Sequence, residues 1–304
     1  MSKLNLFATV LTYAAPSSNY HGESEGGNRT PLQTIPVDGE NRAIISSEAM
    51  RNALRDILAI EGLLCNRKRL HDYIDKDGKP QLAVEYSEFP NPEKYADDFF
   101  FGFLIANTEA VKKHRISKRD SVFRMNLALA LSRYQGNATF HQSPKMGGEN
   151  PPFTNSKKNE AGLYHVERTH TAYQYPFALA GRDCEKGNPE WTKKLLKGIG
   201  QLNNVAGGHK GSKFEMSPKS IIVRLTPSLI AGFDTYGFDK DGNFAELSRI
   251  NKNDLPASEF WIGGDLARNM EATEKKVLSD LGVQFYDNPQ NLLEKVGEEF
   301  LKTE

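Results

Sequence analysis

Two serines followed by two arginines at helical spacing form the first group of residues that could bind a ligand. Ser46-Ser47 stands where a helix is expected to begin, and Arg51 and Arg55 lie four residues apart, so they would be neighbours on one helix face. Backbone N–H groups at a helix N-terminus attract anions, and hydroxyl and guanidinium groups complete a phosphate site. Arg29 and Arg42 precede this helix and favour that interpretation; the alternative is an ordinary capped helix with solvated arginines.

A glycine-rich basic loop is the second candidate site. It includes Gly207, Gly208, His209, Lys210 and Lys213. Glycines let a ligand approach the backbone closely, and lysines supply positive charge. Because the loop lacks the GxxxxGK[ST] spacing, the sequence does not imply nucleotide hydrolysis. A flexible loop at the exit of a helix is an equally good interpretation.

A run of cations is the third candidate. Residues 112–124 contain six lysines and arginines, among them Lys118 and Arg119, against one acid. Such a run is usually a solvated face. Beside the start of a strand, however, it could line a nucleic-acid channel.

The segment 136–168 mixes cations with isolated apolar residues and is the fourth candidate. Lys145 and Met146 are neighbouring examples of the two types. Single-stranded nucleic acid offers base faces for stacking and phosphates for pairing with cations, so this mixture suits it. A disordered loop or an arm that contacts a partner would have the same composition.

Few residues suggest catalysis or metal binding. His165, His170 and Cys184 lack a recognised ligand spacing. Glu23 and Glu25 could form a carboxylate pair, but no rigid element is predicted to support them, so a surface role is favoured. We therefore expect no catalytic residue, no metal site and no cofactor.

The elements that must position these residues alternate between strands and helices. Alternation of apolar and polar residues predicts strands at 4–11, 123–131, 171–179 and 221–225. Apolar residues at helical spacing predict two helices, from Ser46-Ser47 to Gly62 and from Asn188-Pro189 to Gly207. The order strand, helix, strand, strand, helix, strand is that of the ferredoxin-like split βαβ arrangement, so an α+β fold is expected.

Long segments lie between and after these elements. Residues 14–41 are rich in glycine and proline and predict a long loop, whereas 62–119 and 136–168 predict two insertions. Pro176 suggests that its strand lies at a sheet edge or carries a bulge. The C-terminal extension is predicted to contain two helices, at 267–281 and 289–301.

The charge balance limits the classes of function that the protein can have. The chain holds 39 lysines and arginines against 39 acids, which argues against a wholly basic surface that coats nucleic acid. The balance is uneven, because residues 239–304 hold 14 acids and 8 bases, a net −6, which leaves +6 for residues 1–238. A local basic groove in the first part of the chain is compatible with this distribution.

Size and cysteine content indicate the domain organisation and compartment. Single cores stop growing near roughly 250–300 residues, so one elaborated domain over 1–304 is expected, although two modest cores would also fit. Cys65 and Cys184 are too few for a disulfide framework, which favours a reducing compartment. Because the sequence has no run of about 18 apolar residues, we expect a soluble cytoplasmic protein with no membrane partner.

The segments that carry the first candidate site resemble a known family. Gly26-Gly27-Asn28-Arg29-Thr30, leading to Ile45 through Arg55, resembles the signature of the CRISPR Cascade backbone subunit, the Cas-seven or DevR type, in a form similar to that of type I-B systems. The matching segments span most of residues 1–226. Supporting segments are Phe99-Phe100-Phe101-Gly102, the basic lead into Val122 to Leu131, and the Gly207-Gly208 loop.

The resemblance implies a fold and a set of partners. It implies a ferredoxin-like, RNA-recognition-like palm at 1–61, 120–135 and 169–230, a finger insertion at 62–119, a thumb insertion at 136–168, and an extension at 231–304. Copies of the chain would stack along CRISPR RNA beside other Cascade subunits and present the guide for pairing with target DNA. The residues expected at the RNA are Asn19, His21, Arg29, Arg42, Ser46, Ser47, Arg51, Arg55, Lys118, Arg119, Lys145, Met146, Gly207, Gly208, His209, Lys210 and Lys213.

The resemblance also bears on catalysis. Related type III subunits cut RNA with an aspartate in the loop after the first strand, whereas here that loop holds Glu23, Glu25 and Asp38 but no aspartate that aligns. A non-catalytic subunit is therefore expected. The alternatives are a metal-dependent RNase of the type III kind, a repeat-processing endoribonuclease, or a DNA-binding regulator, for which no helix-turn-helix is visible.

Overall fold

A mixed β-sheet forms the centre of the structure, a computed structural model that describes residues 3–17, 29–74, 80–105, 112–136, 138–142, 163–205 and 215–302. In spatial order its strands are β18 (Gln284–Tyr286), β17 (Phe260–Gly264), β16 (Pro218–Thr226), β1 (Asn5–Thr12), β15 (Tyr173–Ala180), β11 (Ala128–Ala130), β5 (Glu40–Ile45) and β4 (Thr34–Val37), with β10 (Arg124–Met125) also paired to β15. Neighbouring strands are antiparallel, except that β17 and β18 are parallel.

Helices accompany this sheet. The described residues include α1 (Ser47–Ile60), α2 (Ala96–Phe101), α3 (Gly181–Cys184), α4 (Pro189–Gly200), α5 (Leu247–Asn251), α6 (Asp265–Asn269), α7 (Ala272–Asp280) and α8 (Pro289–Phe300). The α+β prediction is thereby confirmed. Within the described residues, no helix is long and apolar enough to span a lipid bilayer.

The two faces of the sheet bury two different cores. Side chains alternate between faces along a strand, so in β16 Ile221 and Val223 join the core with α1, α4 and α8, whereas Ile222 points to the other side. There it packs with Phe238 and Phe260 of the C-terminal extension. The acidic extension therefore contributes to both cores, with α8 in the first and Phe238 and Phe260 in the second.

A buried amide fixes the extension to the sheet. The side chain of Gln174, in β15, donates from Nε2 to the carbonyl of Phe238 at 3.2 Å and accepts from its backbone N–H at 3.1 Å. Tyr236 donates its hydroxyl to the carbonyl of Leu127 at 2.7 Å. The role of the extension, which the sequence left open, thus includes completing the second core.

Pro176 occupies a central strand, so the prediction of an edge position is wrong. It lies in β15, between β1 and the β10–β11 pair. The register shifts by one residue between the pairs Met125↔Phe177 and Leu129↔Gln174, and this irregularity breaks the predicted strand 123–131 into β10 and β11. Proline has no backbone N–H to donate to a neighbouring strand. The bulge lies opposite Pro176, in the neighbouring strand between β10 and β11.

The predicted long loop at 14–41 contains strands. Its described part forms β2 (Ala15–Ser17), β3 (Arg29–Thr30), β4 and the start of β5. Asp38 and Gly39 both have positive φ, 51° and 79°, as a tight hairpin turn between β4 and β5 requires. Asp38-Gly39 is typical of a hairpin turn, but the glycine and proline content of this segment favoured the prediction of a long loop.

The described residues of 62–119 include regular structure despite the weak periodicity of this segment. The strands β6 (Arg67–Ile74) and β7 (Pro80–Tyr86) form a hairpin, the β6–β7 hairpin, and it is followed by α2. Phe103–Leu104, strand β8, then pairs with Lys118–Arg119, strand β9.

The segment 136–168 begins and ends in paired strands. Strands β12 (Ala138–Gln142) and β13 (Leu163–Glu167) are antiparallel, and β13 also pairs with β3. Strand β14 (Thr169–Thr171) pairs with β2. The C-terminal end of this insertion and the strand that follows it are therefore joined to the segment after β1.

Some predicted helix ends, and the elements predicted in the C-terminal extension, differ from those in the structure. Helix α4 begins at Pro189, with Asn188 as its cap, but ends at Gly200 rather than Gly207. The predicted helix 267–281 is divided into α6 and α7, because Met270 is extended. The helix predicted at 289–301 is confirmed as α8. Strands β17 and β18 were not predicted.

Candidate nucleic-acid interface

The N-terminus of α1 has the cap that the sequence predicts. Ser46 is extended, with φ −65° and ψ 147°, and its Oγ accepts a hydrogen bond from the backbone N–H of Ala49 at 3.3 Å. The hydroxyl of Ser47 accepts from Arg51 Nη2 at 3.1 Å and donates to Glu48 Oε1 at 3.2 Å. Both predicted phosphate-binding serines therefore lie in the first turn, and each already has a partner within the helix.

Arg51 folds back over this first turn. Its Nη2 donates to Glu48 Oε1 at 2.7 Å and its Nη1 to Ser121 Oγ at 3.4 Å, so it links α1 to the segment before β10. One-fifth of its side chain is exposed. Arg51 can therefore reach a ligand at this surface while the side chains of Ser47, Glu48 and Ser121 hold it in place.

Arg55 is buried, which the sequence did not indicate. Only 7% of it is exposed, its Nη1 donates to Asn52 Oδ1 at 2.8 Å, and its guanidinium lies 4.8 Å from the centre of the Phe101 ring. Asp97 Oδ2 is 3.6 Å from its Nε. Burial and then the positive charge of Arg67 lower the pKa of Arg55 to about 10, so it remains protonated at neutral pH.

Two buried aspartates anchor the start of the β6–β7 hairpin. Asp97 accepts the backbone N–H groups of Asn66 at 2.8 Å and Arg67 at 3.0 Å. Asp98 accepts Asn66 Nδ2 at 2.8 Å and the backbone N–H of Asn91 at 2.9 Å, and burial raises its pKa. These carboxylates fix the first residues of β6 next to Arg55.

Arg119 approaches the same place from β9. Its Nη1 donates to the carbonyl oxygens of Phe99 at 2.6 Å and Asp98 at 3.2 Å, and its guanidinium lies 5.2 Å from the centre of the Phe99 ring. Partial burial lowers its pKa. Its neighbour Lys118 is exposed. Arg119 thus holds α2 in place as well as facing the region around Arg55.

These residues surround one cavity of about 360 Å³ between α1, the β6–β7 hairpin and β8. Four arginines line it, namely Arg51, Arg55, Arg67 and Arg119, together with a single carboxylate, Glu48. Tyr86 and Phe101 supply aromatic walls. We call this space the arginine cavity. It is a positively charged pocket suited to an anion, and three of its arginines were predicted from the sequence.

Arg67 lines the arginine cavity and was not predicted from the sequence. It lies at the first position of β6 in the run Arg67-Lys68-Arg69, within a segment whose weak periodicity gave no strand prediction. The signal that could have found it was this basic run at the start of a strand that ends in Tyr73 and Ile74. In the predicted run of cations, Lys112, Lys113 and Arg115 are all exposed.

The remaining predicted residues are separate from the cavity or outside the described residues. Arg42 lies in β5, where its Nε is buried and makes no hydrogen bond to the described residues, and Arg29 lies in β3. The predicted residues outside the described part of the chain are Asn19, His21, Lys145, Met146, Gly207, Gly208, His209, Lys210 and Lys213.

The groups considered for catalysis are dispersed. Asp38 is at the exposed tip of the β4–β5 hairpin, and Cys184 is buried, which raises the pKa of its thiol to about 12. His165 is exposed in β13 and His170 in β14. Among the described residues, no three His, Cys, Asp or Glu side chains lie close enough together to hold a metal ion.

Comparison with known proteins points to CRISPR systems. The chain is 29% identical over 283 residues to the CRISPR-associated protein Cas7/Cst2/DevR of Myxococcus xanthus (strain DK1622), and the match covers 91% of each chain. No family model matches the sequence. The resemblance to the CRISPR Cascade backbone subunit predicted from the sequence is confirmed by this relative.

Solved structures of CRISPR complexes share the fold. A chain of a pre-nicking CRISPR RNA-guided surveillance complex has a TM-score of 0.61 and 10% identity, covering 98% of this chain and 100% of that one. A chain of another CRISPR RNA-guided surveillance complex has a TM-score of 0.54 and 14% identity, covering 97% and 99%. The shared fold extends over nearly the whole chain, including the C-terminal extension.

Proposed function

We propose that this chain is a Cas7-type subunit that binds CRISPR RNA and forms the backbone of a Cascade-type surveillance complex. The observation that carries the proposal is the convergence of four arginines from three separate segments beside the N-terminus of α1. They occur in a chain that is similar to Cas7/Cst2/DevR over 91% of its length. Arginine clusters of this kind recognise phosphate groups through paired N–H donors.

The mechanism of such a subunit is physical rather than covalent. Contacts to phosphates position an RNA strand but carry no sequence information. Arg51 is held by Ser47, Glu48 and Ser121, so a bound phosphate would meet a guanidinium that is already oriented. Bases left free of protein contact would then pair with target DNA, and this base pairing would supply the sequence specificity.

The fold supports a division into parts that assemble along RNA. The order β16-β1-β15-β11, antiparallel throughout, supports a ferredoxin-like palm. The β6–β7 hairpin would belong to the finger, and strands β12 and β13 to the base of the thumb. Several copies would bind side by side on one guide, together with other Cascade subunits. The uneven charge, +6 for residues 1–238 and −6 for residues 239–304, would favour contacts between successive copies.

We assign no catalytic step to this subunit. Asp38 caps an exposed hairpin and has no role in the arginine cavity, and no aspartate of the first loop aligns with that of the RNA-cutting relatives. Incubation of purified protein with single-stranded RNA and Mg²⁺ should leave the RNA intact. RNA cleavage that disappears in Asp38→Asn would contradict this part of the proposal.

RNA binding tests the proposal directly. Purified protein should bind single-stranded RNA with little sequence preference, and Arg51→Ala should weaken binding. Because each lost phosphate contact reduces the salt dependence by about 0.7 log unit per log unit of salt, the slope should flatten by that amount. Lys252→Ala, which removes an exposed cation from the extension, is the matched control and should change neither quantity. Absence of RNA binding by the wild-type protein would sink the proposal.

A further inference from the structure

An exposed basic segment with an apolar residue at its end precedes strand β9. We call residues 112–116 the basic tip. Lys112, Lys113 and Arg115 are exposed, and none of them forms an ion pair with another described residue. Ile116, directly after them, has 51% of its surface exposed. An apolar side chain among unpaired cations is suited to a partner surface that is both apolar and acidic.

The basic tip is held in a fixed position on the protein. The ring of His114 stacks on the ring of Phe89, with 3.8 Å between the ring centres and 7° between the planes. Next to the tip, the backbone N–H of Ile105 donates to the carbonyl of Ser117 at 2.7 Å. A surface that is already ordered loses less conformational entropy on binding, so these contacts favour the use of the tip in an interface.

A cavity of complementary chemistry lies in the C-terminal extension. Its volume is about 470 Å³, and it lies between the start of β16 and two segments of the extension, 241–251 and 265–274. One cation, Lys219, lines it against four carboxylates, those of Asp241, Asp265, Glu271 and Glu274. The apolar residues of its lining are Phe244, Leu247, Leu266 and Met270, with Ala245 beside them. We call this space the acidic cavity.

Most carboxylates of the acidic cavity have no cation beside them. Lys219 pairs with Asp265 at 3.2 Å, but within the described part of the chain nothing forms an ion pair with Asp241, Glu271 or Glu274. No three acidic groups of that part lie close enough together to hold a metal ion. Dispersed carboxylates around an apolar wall suit a larger partner that brings several cations and an aliphatic side chain. The basic tip has this composition.

The strand register places the two surfaces towards opposite ends of the sheet. Ser220, which lines the acidic cavity, pairs with Leu11 near the end of β1. Arg124, which follows β9, pairs with Ala178, and Ala178 pairs with Phe7 near the start of β1. Since β10 and β1 are both antiparallel to β15, the residues before Arg124 lie towards the start of β1. The tip and the cavity are therefore separate in one molecule and free to contact different copies.

We infer that the basic tip of one copy binds in the acidic cavity of the next copy, with Ile116 against the apolar wall. The inference deepens the proposed function, on which it rests for the placement of copies side by side on one RNA. A contact between two different surfaces is head-to-tail, and it continues into a filament when the rotation between copies does not close a ring. Ile116 and the matching cavity favour a protein partner for the tip over nucleic acid.

Substitutions of opposite charge test this contact. Ile116→Glu places a carboxylate against the acidic cavity, and Glu274→Lys places a cation against the basic tip. Ile60→Glu is the matched control, since it makes the same substitution at another exposed isoleucine, at the end of α1. Circular dichroism shows whether each variant is folded. Lys113→Glu or Glu271→Lys replaces a variant that does not fold.

Two RNAs separate self-association from RNA binding. Sedimentation velocity measures self-association of each protein alone and on a single-stranded RNA long enough for several copies. A short RNA that holds one copy measures RNA binding by itself. Ile116→Glu and Glu274→Lys should each self-associate at least about tenfold more weakly than the wild type, because like charges then face each other. Ile60→Glu should change self-association by less than about threefold.

An equimolar mixture of Ile116→Glu and Glu274→Lys should associate again. The unaltered cavity of the first variant accepts the unaltered tip of the second, and the two altered surfaces carry opposite charges. A mixture that does not associate, or wild-type protein that stays monomeric on the long RNA, would overturn the inference, whereas binding of the short RNA would leave the proposed function standing.

The short RNA distinguishes the remaining outcomes. Loss of its binding in Ile116→Glu, with a folded protein, would assign the basic tip to nucleic acid and overturn the inference. Self-association that depends on both Ile116 and Glu274, in a protein that binds neither RNA, would support the contact between copies and contradict the proposed function.

Discussion

The guanidinium of Arg55 lies 3.6 Å from the carboxylate of Asp97, and both side chains are buried. The same carboxylate accepts the backbone N–H groups of Asn66 and Arg67. One buried aspartate therefore holds the arginine of α1 and the first residues of the β6–β7 hairpin in a fixed relation. The shape of the arginine cavity depends on this single group.

Asp97→Asn should destabilise the protein strongly. Removing one partner of a buried ion pair leaves an uncompensated charge and typically costs about 3–5 kcal/mol. The amide also presents N–H groups to backbone donors that previously had an acceptor. Urea unfolding followed by circular dichroism measures the change. Asp183→Asn, which breaks an exposed pair with Lys186, should change the free energy of unfolding by less than about 1 kcal/mol.

Asp98 should make stability depend on pH in the acid range. Burial raises its pKa above the ordinary value of 3.8, so the native carboxyl binds a proton more tightly than the unfolded one does. The contribution of this group to stability is therefore greatest below pH 3.8 and falls as the pH rises through the native pKa. Asp98→Asn cannot titrate, so the free energy of unfolding of the wild type relative to this variant should decrease over that window. A relative stability that increases with pH would contradict the assignment.

Gly102→Ala should disrupt the entry to the arginine cavity. Gly102 has φ 64° and ψ −172°, a region that only glycine adopts readily, and an added Cβ would collide with the carbonyl oxygen of Arg119. We expect a loss of roughly 3 kcal/mol or more in the free energy of unfolding. Gly39→Ala is the matched control. It also has positive φ, but its Cβ would have no neighbour within 4 Å, so only the backbone strain of about 1–2 kcal/mol applies.

Gln174→Leu should loosen the C-terminal extension. The substitution leaves the backbone N–H and carbonyl of Phe238 without their buried partner, at a cost of roughly 1–3 kcal/mol for each group. Gln290→Leu is the control, because Gln290 is exposed and its side chain donates one hydrogen bond, to the carbonyl of Gly200. Hydrogen exchange should show faster exchange around Phe238 in Gln174→Leu only. Equal protection in both variants would mean that the extension does not depend on this contact.

The sequence predicted α1 well because its determinants are local. Ser46 as cap and the apolar positions Met50, Ala53, Leu54 and Ile57 are all contained within one helix. It could not predict that Arg55 is buried, since that depends on Asp97, which lies far along the chain in a segment without clear periodicity. Asp97 and Asp98 themselves look like surface residues until Asn66 and Asn91 are seen to donate to them.

Short strands and tertiary contacts account for the other differences between the predictions and the structure. Strand β17 is a five-residue apolar run, and such runs do not distinguish a strand from the buried turn of a helix. Pro176 predicted an edge position or a bulge because proline cannot donate to a ladder. The strand is central, and the bulge lies in the neighbouring strand. Arg51 and Arg55 were predicted as neighbours on one helix face, and Arg119 was predicted in a separate run of cations. Their convergence with Arg67 required the three-dimensional structure.

The alkylation rate of the Cys65 thiol should depend on the charge of Asp97, the residue that pairs with Arg55. Burial, and then the negative charge of Asp97, raise the pKa of its thiol to about 12, so at pH 8 only about one ten-thousandth of it is thiolate. Alkylation of the native protein by iodoacetamide should therefore be slow, and both cysteines should react rapidly in guanidinium chloride.

In Asp97→Asn the negative charge is gone, so Cys65 should react faster than in the wild type. Cys184, which is buried elsewhere in the core, distinguishes this from global unfolding, because it should remain unreactive if only the local charge has changed. Mass spectrometry of the two alkylated peptides measures both rates, and parallel increases at the two cysteines would attribute the effect to unfolding instead.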